Sequence, residues 1–340
     1  MSTLRFGSKI DSAITFWLWG LFILILAMIM LGGATRLTHS GLSIVEWKPI
    51  SGIIPPFSFS DWMLEFENYK KTPEYLLINK GMSLNEFKSI FWMEYSHRLL
   101  GRFIGLYVLF PMIIFWAREK LTPHLKSTCL LLLLLIGFQG FLGWYMVKSG
   151  LVQDPAVSPF RLSIHLLMAF ALAALTLNAI YRVNAIPHDL IEGQPSGWSV
   201  ANLFLVIVTI FYGALVAGHK AGLIYNTFPM MEGQWLPSEW SHLTPIWRNF
   251  FENHATVQFI HRQLAYLVFF SACIGVWKHK ISPWYGLVVL GQLLLGIITL
   301  LHSVPVLLGT LHQGWSVIVF SMAFWCYRAP RTNNAFKFDH

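Results

Sequence analysis

The sequence is poor in charge: Asp, Glu, Lys and Arg make up 12% of its 340 residues, against 55% hydrophobic. Soluble domains carry about 25% charged residues, so that class is excluded. Nucleic-acid binding is excluded too, despite a formal net charge of +8, because the basic residues gather in connections and tails, where they orient a chain in a membrane. Aspartates are few and never clustered, which removes the Mg-diphosphate motifs of a membrane prenyltransferase. Cysteine is limited to Cys129, Cys273 and Cys326, all inside apolar runs without CxxC spacing. Neither a disulfide framework nor a thiolate metal site follows, and the three read as small core residues. The short lead "MSTLRFGSKIDSA" has no small-residue cleavage site after it. The first apolar run is therefore expected to be an uncleaved helix, and the lead is short for a mitochondrial transit peptide, which points to a bacterial inner (cytoplasmic) membrane.

What the sequence has is long apolar runs. A helix needs about 20 mostly apolar residues to cross the hydrocarbon core. Eight stretches qualify, near 14–33, 90–116, 127–147, 160–181, 198–217, 255–277, 283–301 and 304–327. The expected fold is an all-α integral membrane protein of two pseudo-symmetric four-helix bundles. Arg5 and Lys9, then Arg118, Lys120 and Lys126, Arg182, Lys278 and Lys280, and Arg328, Arg331 and Lys337 fall on alternate connections, so both termini are expected in the cytoplasm.

The chain repeats itself. "LGGATRLTHSGLSIVEWKP" after the first span aligns with "YGALVAGHKAGLIYNTFP" after the fifth, matching Gly32 to Gly213, Gly41 to Gly222 and Leu42 to Leu223. Gln139 and Gly143 of the third span reappear as Gln292 and Gly296 of the seventh. The pattern predicts a parallel duplication, residues 1–185 and 186–340. Tight helix packing accounts for the glycines.

It does not account for four of the thirteen histidines. His97, His165, His261 and His312 fall one to each even-numbered span, each about five to nine residues after the span begins, or roughly 8 to 13 Å below the outer boundary. Histidines on facing helices of a bundle hold a haem iron axially. The duplication pairs His97 with His165 and His261 with His312. Zinc would want further ligands, and no Cys, Asp or Glu lies close to the second pair. Arg98, Arg102 and Arg262 lie within a turn or so of the histidines, where guanidinium groups could meet haem propionates or snorkel to lipid headgroups.

The two copies differ in one acid. "FWMEYSHRLLGR" at 91–102 has Glu94 where "VQFIHRQLAY" at 257–266 has Gln258. Glu94 is three residues before His97, so both share a helix face. A carboxylate there can act as a base, stabilise a cation or bond to a reacting carbon, or more simply orient a histidine or pair with Arg98. The asymmetry suggests one half that carries electrons and another that performs chemistry.

Across nearly the whole chain, "GGATRLTHSGLSIVEWKPISGIIPP", "FWMEYSHRLLGRFIG", "GFQGFLGWYMVKSGL", "RLSIHL", "GALVAGHKAGLIYNTFPMMEGQWLP", "FIHRQLAY" and "LGTLHQ" resemble the haem A synthases of alphaproteobacteria and mitochondria. The resemblance implies an oxidoreductase that converts haem O to haem A, oxidising the pyrrole-D ring methyl to a formyl group through a hydroxymethyl stage with oxygen from water, for cytochrome oxidase assembly. It implies a resident haem b on His261 and His312 with Arg262 nearby, substrate haem O at His97 and His165 with Arg98, and Glu94 as the catalytic acid. Expected partners are haem O, membrane lipid, a haem O synthase and an electron acceptor, with homo-oligomers left open and no nucleic acid. Some bacterial members carry cysteine pairs in outer loops. None is present here, so no redox role for such a pair transfers. The rival readings are a dihaem b-type quinone oxidoreductase and a haem transporter. His39, His219, Lys220, Asn226 and Trp235 are loop candidates for the haem edges.

Overall fold

A computed structural model describes residues 12–151, 155–184 and 195–328. The boundary between the two predicted halves at 185 and 186, and the basic residues Arg5, Lys9, Arg331 and Lys337, lie outside the described residues. The described chain is helical, apart from one isolated bridge between Met231 and Gln234. In order the helices are α1 (Ser12–Leu37), α2 (Phe59–Tyr69), α3 (Pro73–Leu77), α4 (Leu84–Ala117), α5 (Pro123–Gly150), α6 (Pro159–Asn184), α7 (Gly197–Gly218), α8 (Asn249–Glu252), α9 (His254–Lys278), α10 (Pro283–Leu301) and α11 (Val306–Arg328).

Eight of these, α1, α4 to α7 and α9 to α11, are long and apolar enough to cross a membrane. Their starts are written in capping residues. Thr122 and Ser282 cap α5 and α10 ahead of a proline at the first helical position, Ser196 caps α7, and Asn253 accepts from the backbone of Ala255 and Thr256 to start α9. These side chains satisfy amide groups that a helix end leaves unpaired.

One start departs from expectation. The second span begins at Leu84 and not near 90, because Ser83 and Glu86 form a reciprocal capping box that starts α4 upstream of its apolar run. Its 34 residues make it about 51 Å long, more than the roughly 30 Å of hydrocarbon core. Depth counted from helix starts therefore fails for His97. Counted from the opposite ends, the four histidines lie 20 (117−97), 19 (184−165), 17 (278−261) and 16 (328−312) residues in, about 24 to 30 Å.

The long helices close into two rings. α1, α4, α5 and α6 each touch two neighbours in that cyclic order, and α7, α9, α10 and α11 do the same. The rings meet along α1 with α11 and α6 with α7. There the core is most completely buried, with Leu18, Leu21, Leu172, Ala173, Leu177, Ile180, Val206, Val317 and Phe320 shielded. Large apolar residues such as Phe16, Phe110, Leu134, Phe270, Trp277 and Leu287 point outward, as lipid-facing positions do.

Duplication extends to single hydrogen bonds. Trp17 Nε1 donates to the Tyr107 carbonyl at 3.0 Å, and Trp198 Nε1 donates to the Ser271 carbonyl at 3.0 Å. Each bond ties the first helix of a ring to its neighbour.

Candidate functional site

All four span histidines sit against glycine. A Cβ built on Gly32 of α1 would lie 3.1 Å from His97 Cε1, and on Gly213 of α7 3.1 Å from His261 Cε1. Gly143 of α5 would stand 3.2 Å from His165 Cε1, and Gly296 of α10 2.8 Å from His312 Cε1. Two of the three glycine pairs that the repeat aligns, Gly32 with Gly213 and Gly143 with Gly296, are thus the seats of the imidazoles, and helix packing alone does not describe them. A second repeated contact fixes the backbone behind two of the rings. Gln139 Nε2 donates to the His165 carbonyl, and Gln292 Nε2 to the His312 carbonyl, both at 3.0 Å.

Within each ring of helices the histidines pair. His97 lies within electrostatic reach of His165, and His312 of His261. Each of these residues is partly buried although it sits within a span. Cε1 is taken by the glycine, and Nδ1 of His97, His165 and His312 is buried without a partner, so the accessible edge is the Nε2 side. In His261, Nδ1 lies 3.2 Å from the Thr209 carbonyl. A carbonyl only accepts, so Nδ1 carries the proton and the Nε2 lone pair is free to ligate. Two pairs of neutral imidazoles with free edges fit axial ligation of two haem irons.

Arg98 and Arg262 turn the other way. Nη2 of Arg98 donates to the Ile44 carbonyl at 2.8 Å and Nη1 to that of Glu46 at 3.2 Å. Arg262 gives the corresponding bonds to Tyr225 at 2.6 Å and Thr227 at 2.9 Å. Arg102 donates to the Lys48 and Pro49 carbonyls, both at 2.9 Å. The guanidinium groups clamp the connections after α1 and α7 onto α4 and α9.

Glu94 and Gln258 occupy one position with opposite chemistry. Glu94 accepts from Ser43 Oγ at 2.7 Å and Ile44 N at 2.8 Å on Oε2, and from Arg98 Nε at 3.0 Å and Nη2 at 2.6 Å on Oε1. Gln258 donates through Nε2 to the carbonyls of Ala221 at 2.7 Å and Ile224 at 2.5 Å, and accepts from Arg262 at 3.0 Å. Both side chains are buried. Nothing in the sequence marks Ser43 and Ile44 as the donors to Glu94. The signal is that the connection after α1 aligns with the one after α7.

This chain matches the sequence profile of the cytochrome oxidase assembly protein (COX15-CtaA) family over residues 15–324. The chain belongs to that family. It is 43% identical over 336 residues to a protein of Brucella anthropi named Heme A synthase, covering 94% of this chain and 92% of that protein. A Bartonella bacilliformis protein of the same name is 43% identical over 331 residues, covering 93% of this chain and 91% of its own. The family match reaches into all eight long helices and includes the four span histidines, Glu94 and Gln258.

The loop candidates divide. His219 Nε2 pairs with the Phe251 carbonyl at 2.8 Å, and Asn226 Nδ2 donates to the Gly222 and Leu300 carbonyls, both at 2.8 Å. Both fold the connection. Trp235 is exposed. His39 and Lys220, which the repeat aligns, share a left-handed backbone at φ 53 and 54. Burial pushes the His39 imidazole down, with Lys220 and Arg36 adding repulsion, and burial also lowers His219. One buried acid is unmarked in the sequence: Glu74, in the connection between α1 and α4, whose carboxyl is raised to about 7 by burial.

Proposed function

We propose that this protein is a haem A synthase, an oxidoreductase that converts haem O to haem A by oxidising a ring methyl to a formyl group. The observation that carries the reading is the doubled imidazole pair on glycine seats with a carboxylate beside one pair only, in a chain 43% identical to proteins named Heme A synthase. In this reading His97 and His165 hold substrate haem O in the first ring, and His261 and His312 hold a resident haem b in the second. Bound there, the resident haem supplies one-electron transfer.

The oxidation balances as R–CH3 plus water giving R–CHO with four electrons and four protons released, through R–CH2OH and a gem-diol that loses water. The electrons go to a one-electron acceptor in the membrane. Glu94 is held by four donors, so its part is that of a fixed negative charge that stabilises an electron-poor carbon beside His97. The glycine seats orient each imidazole, and the Arg98 and Arg262 clamps close the outer connections over the two sites. Arg118, Lys120, Lys126, Arg182, Lys278, Lys280 and Arg328 lie at the ends of spans opposite the histidines. This supports a bacterial cytoplasmic membrane with both termini in the cytoplasm and the two sites toward the outer side. A dihaem electron carrier would leave the Glu94 and Gln258 difference without a use.

Haem extracted from membranes with and without the protein, separated into haems B, O and A, tests the reading. Haem A should appear only with the protein, and its absence overturns the proposal. His261→Ala should remove the resident haem spectrum. An unchanged spectrum would reassign that site.

A further inference from the structure

The outer connection between α1 and α4 holds a second buried carboxyl that the reaction above leaves unused. Glu74, in the first turn of α3, is only 4% exposed, and no ion pair reaches it among the described residues. Its Oε2 accepts from the Tyr69 hydroxyl at 3.2 Å, and that oxygen accepts from Asn79 Nδ2 at 2.7 Å. The charged groups that bear on it come from three other helices: Glu94 on α4, Arg36 at the end of α1, and Lys220 just past α7. Arg36 and Lys220 bear in turn on His39. Glu74 therefore lies near both Glu94 and the basic residues at the ends of α1 and α7. The second connection offers no counterpart. Glu232 and Glu239 are exposed, and Glu252 is paired with Arg248.

Both oxygens of Glu94 are already taken by the Arg98, Ser43 and Ile44 donors. Yet each oxidation stage releases protons. Resting on the haem A synthase reading, we infer that Glu74, linked to Tyr69, is the proton exit of the first-ring site. At each stage a methyl C–H bond breaks with two electrons and one proton leaving, the oxygen of water bonds to that carbon as a water O–H bond breaks, and the two protons pass one after the other to the Glu74 carboxylate. The carboxylic acid then reionises to water on the outer face. No electron passes through Glu74, and the electrons leave the substrate for the one-electron acceptor.

The electrostatics suit this role. Burial raises the Glu74 carboxyl, the Tyr69 hydrogen bond opposes, the Glu94 charge raises it further, and Lys220 and Arg36 pull it down, leaving it at about 7. A group titrating there exchanges protons in both directions at neutral pH.

The test uses full-length wild type, Glu74→Gln, Glu74→Asp and Tyr69→Phe in membranes, with haem A formation followed from about pH 5.5 to 8.5. The second-ring haem spectrum checks folding, and infrared spectra of purified protein without haem O follow carboxyl titration. Wild type should lose rate below about pH 7, as Glu74 becomes protonated and cannot accept. Glu74→Gln should lower the plateau about 100-fold and abolish that limb, while Glu74→Asp keeps a limb. A carboxyl band titrating near neutrality should be present in wild type and absent from Glu74→Gln. Tyr69→Phe removes a bond that favours the carboxylate, so its limb should move to higher pH. An unchanged rate and profile in Glu74→Gln overturns the inference, as does the absence of the band from wild type. If Glu74→Gln does not accumulate, an unmoved limb in Tyr69→Phe overturns it. Wild type that makes no haem A fails the parent reading instead, and a wild-type carboxyl band near neutrality that Tyr69→Phe shifts would still support Glu74 as the titrating group.

Discussion

Nη2 of Arg98 donates to Oε1 of Glu94 at 2.6 Å, one turn apart on α4, with 12% and 3% of the two side chains exposed. This ion pair is also a hinge pin, because Arg98 bonds the carbonyls of Ile44 and Glu46 and Glu94 takes the Ser43 hydroxyl and the Ile44 amide. The charge three residues before His97 and the closure of the connection after α1 are one construction.

Glu94→Gln separates the two roles. A glutamine can keep the Arg98 bond, as Gln258 keeps that of Arg262 at 3.0 Å. Its NH2 group would face the Ile44 amide, leaving one buried donor unpaired at a cost of about 1–3 kcal/mol. The protein should fold and keep its second-ring haem spectrum, while haem A formation falls by about 100-fold or more. Chromatography of extracted haem reads this directly, and wild-type amounts of haem A would remove Glu94 from the chemistry.

The reverse exchange should be worse. Gln258→Glu would place a carboxylate against the Ala221 and Ile224 carbonyls, which the amide now contacts at 2.7 and 2.5 Å. Arg262 could pair with one oxygen, since it now donates to Oε1 at 3.0 Å, but the other would meet only acceptors in a buried setting, at a cost of about 1–3 kcal/mol. Loss of the second-ring haem or of protein accumulation is expected. A variant with normal accumulation and spectrum would show that this connection rearranges freely.

The eight spans, the histidine pairs and the duplication were legible because each leaves a periodic mark: apolar length, one histidine per even span, and recurring Gly and Gln. The start of α4 was not, since the Ser83 and Glu86 box lies in polar sequence outside the apolar run. Nor was the bonding of Glu94, because Ser43 and Ile44 are some fifty positions away (94−43=51 and 94−44=50). Glu74 was invisible for another reason. A glutamate in a mixed loop reads as solvated, and only the packing of α2 and α3 beside α4 buries it. The glycines were seen, but their contact with imidazole is a tertiary fact.

Those seats make a graded experiment. Gly296→Ala, with the tightest approach to His312 at 2.8 Å, should disturb the second-ring haem spectrum more than Gly213→Ala, whose Cβ would stand 3.1 Å from His261. Gly143→Ala should lower haem A formation and leave that spectrum alone. Gly140→Ala is the control, since nothing lies within 4 Å of its added Cβ, and alanine favours the helix by about 1 kcal/mol. Equal effects from Gly140→Ala and Gly296→Ala would mean that the glycines serve backbone flexibility and not the imidazoles.

Stability against pH isolates Glu74 without any turnover. Its folded carboxyl is raised from 4.5 to about 7, so the unfolded chain releases this proton first. The stabilisation is complete below about pH 4.5 and is lost as pH rises through 7. At about 1.4 kcal/mol per pKa unit, the loss is on the order of 3 kcal/mol. His39 works in the opposite direction, because its folded imidazole is lowered and its contribution is lost as pH falls below about 6.5. Wild type therefore mixes two opposed slopes. The difference between Glu74→Gln and wild type removes every group but one. Apparent unfolding midpoints in detergent should favour the variant increasingly from about pH 5 to 8 and level off above. A difference that stays constant with pH would mean that Glu74 titrates as an ordinary exposed carboxylate, with the α2 and α3 cover open in solution.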